Sequence, residues 1–194
     1  MNNGRHPVGL LAIQGDFSMH AKMLDRIGEP WKLVKHASEL DEVRGLIMPG
    51  GESTTMLKFF AGNGFGPAIK KFAAQGKPIF GTCAGAILLA QDVLNPPQAR
   101  LGLMDITVER NAYGRQIDSS VHQGQCPAIA DHPVEMVFIR APIIRRVGDG
   151  VRVLGRCEKL PVLVEQGNLL AATFHPELTE DETIHRYFIK KLNH

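Results

Sequence analysis

The first half of the chain repeats one pattern: a short run of apolar residues with no polar face, a small-residue turn, then a stretch with helical periodicity. Residues 8–13, 31–34, 45–48 and 78–81 form the apolar runs. A strand that is apolar on both sides must be covered on both sides. The stretches 18–27, 54–60, 67–75 and 84–91 read as the covering helices. In the first of them Met19, Met23, Leu24 and Ile27 share one face. Strands that alternate with helices run in one direction, so this half predicts a parallel sheet flanked by helices.

Asn95-Pro96-Pro97 ends the alternation. Strand patterns then follow at 106–109, 134–139, 151–154, 161–165 and 169–174, with Gly167-Asn168 as a hairpin turn between the last two. A helix over 181–192 closes the chain. No internal repeat or low-complexity linker divides it, and 194 residues suit one domain with its own core. The expected architecture is a single-domain α/β fold spanning 1–194, with an open, mixed, mostly parallel sheet of flavodoxin-like type.

Charge excludes some functions. The net charge is +2 and the basic residues are interleaved with acids, which gives no electrostatic reason to expect nucleic acid or an anionic membrane as partner. Cys83, Cys126 and Cys157 are far apart and form no C-x-x-C pair, which argues against a disulfide framework or a zinc knuckle and for a reducing compartment. The run 8–13 is too short for a secretory signal or a membrane span. A cytoplasmic protein is expected.

Three segments carry chemistry. Gly81-Thr82-Cys83-Ala84-Gly85 lies between a strand and a helix and has the G-x-C-x-G form of a nucleophile elbow. Its small residues permit a sharp turn that lifts Cys83 clear at the carboxyl end of the sheet, near a helix N-terminus that favours thiolate. The Ala84 N–H then faces a developing oxyanion. The bland alternative is a buried structural cysteine in a glycine-rich turn. Phe174-His175-Pro176-Glu177 follows a strand. Residues two apart in an extended segment face one side, so His175 suits a general base oriented by Glu177. Alone, a His-Pro-Glu is an ordinary surface sequence; its value lies in pairing with the elbow. Pro49-Gly50-Gly51-Glu52-Ser53-Thr54-Thr55 is a β-α turn whose N–H groups suit an oxyanion or a carboxylate, or simply a turn with Ser53 or Thr54 capping the helix. It lacks the Gly-Lys-Ser/Thr of a P-loop.

Gly62, Gly64 and Gly66 follow a helix rather than a strand and read as a plain loop. His20, His36, His122 and His132 have no partners at metal-ligand spacing and read as surface residues. Cys126 and Cys157 have no motif around them.

Together the segments resemble class I, triad-type glutamine amidotransferases. The narrower resemblance is to the glutaminase subunits of pyridoxal 5'-phosphate synthase, the PdxT family. It rests on Leu11-Ala12-Ile13-Gln14-Gly15, Leu46-Ile47-Met48-Pro49-Gly50-Gly51-Glu52-Ser53-Thr54-Thr55 and the Cys83 elbow, then Arg110-Asn111-Ala112-Tyr113-Gly114-Arg115-Gln116, Phe138-Ile139-Arg140-Ala141-Pro142 and Phe174-His175-Pro176-Glu177-Leu178. These cover nearly the whole chain in the family's order.

The resemblance implies a Cys83-His175-Glu177 triad that hydrolyses L-glutamine through a glutamyl thioester. Gly51 and Ala84 supply the oxyanion N–H groups, and Glu52, Ser53, Arg110, Ile139 and Arg140 hold the substrate. It implies no cofactor for this chain, pyridoxal 5'-phosphate being the product of the complex. The implied partner is a separate synthase subunit of the PdxS family in a large hetero-oligomer, and the free subunit is expected to be weakly active. The chain departs from the family's usual pattern after Gln116, where it reads Ile117-Asp118-Ser119-Ser120-Val121-His122, and at Ala86, where a larger residue is usual. Neither departure removes a catalytic group. Two alternatives remain open from sequence: a glutaminase subunit serving another synthase, such as that of histidine biosynthesis, and a non-catalytic, redox-sensing relative.

Overall fold

The computed structural model describes residues 6–110 and 119–193. In chain order its elements are β1 (Val8–Leu11), α1 (Phe17–Ile27), β2 (Trp31–Val34), β3 (Gly45–Met48), α2 (Ser53–Asn63), α3 (Phe65–Ala74), β4 (Ile79–Thr82), α4 (Ala84–Leu89) and β5 (Ala90–Leu94). There follow β6 (Met104–Glu109), β7 (Ser119–Gly124), β8 (Val134–Ile139), β9 (Ile143–Val147), β10 (Arg152–Cys157), β11 (Leu160–Gln166), β12 (Leu169–Ala172) and α5 (Thr183–Lys191).

The central sheet has seven strands in the order β10-β11-β12-β4-β3-β1-β2. Strands β2, β1, β3, β4 and β12 pair in parallel, and β11 and β10 add antiparallel at one edge. The sheet is thus mixed and mostly parallel. Its parallel strands are the apolar runs of the sequence, and β1, β3 and β4 are buried at every residue. Successive side chains alternate between two cores. Leu46, Met48 and Ile79 face α2, α3, α4 and the small β5-β6-β9 sheet. Ile47, Phe80 and Leu170 face α1, α5 and the β7–β8 hairpin.

β1 pairs with both β2 and β3, so the chain reverses its direction of winding there and opens a crevice at the strands' carboxyl ends. The segments after β1, β3, β4 and β12 all emerge at that edge.

The structure corrects several local expectations. The helix after Cys83 stops at Leu89 rather than continuing to Gln91, because Ala90 turns extended and the chain pairs with β6 as β5. Strand pairing there overrides the helical propensity of Ala90 and Gln91. β7 has alternating exposure and weakly apolar residues, and β9 ends in Arg145-Arg146-Val147; neither carries a strong strand pattern. Gly62, Gly64 and Gly66 do not form one loop: Gly62 lies in α2, Gly66 in α3, and Gly64 is the left-handed joint between them. The buried face of α1 consists of His20, Ala21, Met23 and Leu24, so it is rotated from the face expected through Met19 and Ile27.

Candidate active site

Cys83 joins β4 to α4 with φ 46° and ψ −101°, a conformation that a non-glycine residue adopts only when its surroundings impose it. Two backbone bonds impose it. The Cys83 N–H donates to Ala172 O (2.8 Å) and extends the β4–β12 ladder, while Cys83 O accepts from the Ile87 N–H (3.1 Å) and opens α4. The turn also requires bare backbone. A β-carbon on Gly85 would lie 2.1 Å from Met48 O, so only glycine lets α4 settle onto β3. The sequence's elbow is therefore an elbow in three dimensions.

His175 arrives from β12 and is tied to the neighbouring hairpin by its N–H, which donates to Val137 O (2.8 Å). The next residues are not extended, contrary to the expectation from their spacing. Pro176–Leu178 form a single 3₁₀ turn, and that turn folds Glu177 back under the ring. His175 Nδ1 lies 2.8 Å from Glu177 Oε1, and both residues are buried. Burial by itself would lower the His175 pKa, but the hydrogen bonds with Cys83 and Glu177 outweigh it and push it up to about 10. At neutral pH the ring is then an imidazolium beside Cys83. Burial works against the Glu177 carboxylate, yet the nearby His20 and His175 hold its pKa below the ordinary value.

The turns after β1 and β3 interlock. Gly51 has φ 144° and a β-carbon on it would sit 3.1 Å from Gly15 Cα; one on Gly15 would fall 1.7 Å from Gly50 O. Gln14 Oε1 accepts the Glu52 N–H at 3.0 Å. The cap of α2 is Glu52, not Ser53 or Thr54: its carboxylate accepts from the Thr54 N–H (3.3 Å) and hydroxyl (2.7 Å). These bonds, the Thr54 hydroxyl first, keep Glu52 below the ordinary carboxylate range, with Arg110 and Arg140 helping.

The three turns and the end of β8 enclose a polar cleft of about 240 Å³. Cys83 and His175 form part of its wall, and Gln14, Gly51, Glu52 and Ser53 come from the interlocked turns. Arg110, Ile139 and Arg140 complete the opposite side. Arg110 Nη2 is 3.7 Å from Glu52 Oε1, Ile139 O is 4.0 Å from Cys83 Sγ, and Arg140 is held at φ 42°. The Ser53 hydroxyl donates to Gln98 Oε1 (3.0 Å). Ala84 is the first residue of α4, directly after Cys83. The cleft therefore contains a thiol, an imidazole with its carboxylate, two guanidinium groups and two further carboxylates, Asp16 and Glu52. That set can attack an amide carbon, pass a proton to its leaving group, and hold an α-amino acid by both charged ends. Among the described residues no cluster of side chains suits a metal ion, and no helix is long and apolar enough to cross a membrane.

One residue behind this site lies where its sequence does not lead one to expect it. His20 reads as a surface residue, but it is fully buried on α1 behind Glu177, as is His185 on α5. His20 falls three and four residues before Met23 and Leu24, and this helical spacing to buried neighbours is the signal that points it inward. His36 and His132 are exposed, and His122 is partly buried. Cys126 and Cys157 are buried in the second core and do not line the cleft that holds Cys83; burial pushes the Cys126 thiol up to about 11. Ala86 is fully buried in α4. Asn111, Ala112, Tyr113, Gly114, Arg115, Gln116, Ile117 and Asp118 lie outside the described residues.

An elbow cysteine and a His-x-Glu turn at the carboxyl edge of this sheet define a glutamine amidotransferase-type α/β protein. The chain belongs to the SNO glutamine amidotransferase family, whose family model matches residues 10–194. It is 50% identical over 186 residues to the pyridoxal 5'-phosphate synthase subunit PdxT of Kosmotoga olearia, covering 95% of this chain and 97% of that one. It is 48% identical over 188 residues to the PdxT subunit of Thermus thermophilus, with 96% and 97% covered. A solved structure described as a glutamine amidotransferase superposes with a TM-score of 0.91 at 46% identity, covering 96% and 99%. PurLQS of Thermotoga maritima, at 16% identity and a TM-score of 0.71, shares the fold.

Proposed function

We propose that the chain is the glutaminase subunit of a pyridoxal 5'-phosphate synthase. The observation that carries this reading is the convergence of Cys83, His175–Glu177, Glu52 and the two arginines on one cleft. The Cys83 thiolate attacks the side-chain amide carbon of L-glutamine. Gly51 and Ala84 N–H groups stabilise the tetrahedral oxyanion. The His175 imidazolium gives its proton to the departing nitrogen, ammonia leaves, and a glutamyl thioester remains on Cys83. His175, now neutral and oriented by Glu177, takes a proton from water as the water attacks the thioester. The adduct collapses, the thiolate is expelled beside the reprotonated His175, and glutamate departs, so the thiolate–imidazolium pair is restored. Arg110 and Arg140 clamp the substrate α-carboxylate while Glu52 takes its ammonium. Every group this sequence needs is a side chain or backbone N–H, so the hydrolysis calls for no cofactor.

The ammonia passes to a synthase subunit of the PdxS type in a hetero-oligomer. The names of the relatives near half identity support that partner. The three free cysteines support a reducing cytoplasm. Two cores on the two faces of one sheet support a single domain over 1–194. The bond from the Glu52 N–H to Gln14 Oε1 ties the turns after β1 and β3 together beside Gly51 and supports Gln14 as the link between partner and site. A partner that moves this loop turns the Gly51 N–H on or off the oxyanion, worth roughly a hundredfold in rate. The test is glutamine hydrolysis with and without the synthase subunit, for wild type and Gln14→Ala. Stimulation of wild type and its loss in Gln14→Ala are expected. Equal wild-type rates with and without partner refute activation, and full stimulation of Gln14→Ala removes this loop from it.

A further inference from the structure

Glu177 offers one oxygen to His175, but its other oxygen, Oε2, is buried and has no hydrogen-bond partner among the described residues. His20 Nε2 lies 3.5 Å from Oε2 and 3.2 Å from Thr82 Oγ1. Its other nitrogen, Nδ1, lies 2.9 Å from His185 Nε2. His20, His185 and Thr82 are all fully buried, and Thr82 is the residue before the nucleophile. Neither imidazole has a part in the hydrolysis derived above.

Elementary accounting fixes the protons of this pair. A neutral imidazole has one donor and one acceptor nitrogen. If His20 carried its proton on Nδ1 and gave it to His185 Nε2, two faults would follow. The His20 Nε2 lone pair would face the Glu177 carboxylate, and His185 would be left with a buried N–H at Nδ1, which has no partner among the described residues. The reverse arrangement leaves only an unused lone pair at His185 Nδ1. A buried donor or acceptor that faces its own kind costs more than one lone pair left idle. Hence His185 Nε2–H donates to His20 Nδ1, and His20 Nε2–H points between Thr82 Oγ1 and Glu177 Oε2.

We infer that His20, oriented by His185, is a positioning residue that holds the Glu177 carboxylate in line with His175 through a neutral N–H. Neutrality matters. Complete burial keeps His20 uncharged, with its pKa lowered against the pull of Glu177, and pushes His185 down to about 3. A cation at His20 would neutralise Glu177 and weaken its hold on the His175 imidazolium. An N–H dipole fixes the carboxylate and leaves its charge for the base. The titratable groups facing this assembly are His175 beside Glu177, His20 and Asp16 at the head of α1, and His185 on α5.

The inference rests on the triad reading, and the test separates the two. The side-chain amide of Gln reaches the position of His Nε2, whereas that of Asn reaches only Nδ1. Glutamine hydrolysis is measured in the presence of the synthase subunit for His20→Gln, His20→Asn and Cys83→Ala. His20→Asn is expected to lose about tenfold or more in kcat with KM unchanged, as for a misaligned base. His20→Gln should stay within about threefold of wild type. Two outcomes overturn the inference: His20→Asn as active as His20→Gln, or both equally impaired with native circular dichroism. An active Cys83→Ala instead refutes the triad. Nitrogen-15 NMR of the wild-type imidazoles reads the proton positions directly, independent of any variant's folding. A neutral His20 protonated at Nε2 is expected, and protonation at Nδ1 alone, or at both nitrogens at neutral pH, contradicts the inference.

Discussion

The His175 ring lies so close against Gly50 that a β-carbon on residue 50 would fall 2.3 Å from its Cε1 and 3.0 Å from its Nδ1. The turn after β3 thus supplies the flat surface on which the base rests. Gly50→Ala should displace the imidazole and leave the sheet intact. A fall in kcat of about tenfold or more is expected, with glutamine KM changed little, because the loss falls on alignment. Steady-state kinetics and a thermal melt check it together. Near wild-type kcat would show that the ring does not need this seat.

The hydrogen bond from His175 Nδ1 to Glu177 Oε1 makes the two act as one unit. His175→Asn should lose nearly as much activity as removal of the nucleophile, since members of a catalytic unit are not additive. Glu177→Gln should lose less, because the amide still fills the space but gives no charge to the imidazolium. Ammonia release at saturating glutamine ranks the three variants. A fully active His175→Asn would overturn the assignment of the base.

Most of the proposed triad is legible in the sequence because its chemistry needs small residues at fixed offsets. Gly81 and Gly85 mark the close packing of α4, and that pattern survives in one dimension. The 3₁₀ turn at Pro176–Leu178 is not legible: a two-residue spacing brings side chains together in an extended strand and in this turn alike. His20 misleads because a polar residue is assigned outward by type, whereas its helical offset to Met23 and Leu24 points inward. β7 escapes detection because the hairpin buries few of its side chains and so leaves no alternating apolar pattern.

Acid should destabilise the fold through the buried histidines. His185 has an ordinary pKa of 6.5 and burial pushes it down to about 3; burial likewise lowers His20. Between those values the unfolded chain binds protons that the folded chain refuses, so stability falls as pH drops below about 6.5. Glu177 acts in the same direction at lower pH. Against the penalty of burial, His20 and His175 hold its folded pKa below the ordinary 4.5. Its contribution is present above the unfolded value and lost as pH falls through the folded one. His175 acts oppositely at higher pH, because its raised pKa adds stability as pH falls from about 10 to its ordinary 6.5. The window that isolates the buried pair is therefore about pH 6.5 to about pH 5, where urea unfolding should give a falling free energy. His185→Phe should flatten that slope by up to about 1.4 kcal/mol per pH unit. Equal slopes would mean that His185 does not resist protonation in the folded state.

The chemistry proposed for this site depends on one thiol. Cys83 faces the cleft beside His175, while burial raises the thiol pKa of Cys126 and of Cys157, so neither offers a ready thiolate. The most direct measurement is mass spectrometry after exposure to an electrophilic glutamine analogue in the presence of the synthase subunit, with free glutamine as competitor. The expected result is a single adduct on Cys83, suppressed by glutamine and absent from Cys83→Ala, with Cys126 and Cys157 unmodified. Labelling of Cys126 or Cys157 in place of Cys83, or an adduct that glutamine does not protect against, would contradict the account.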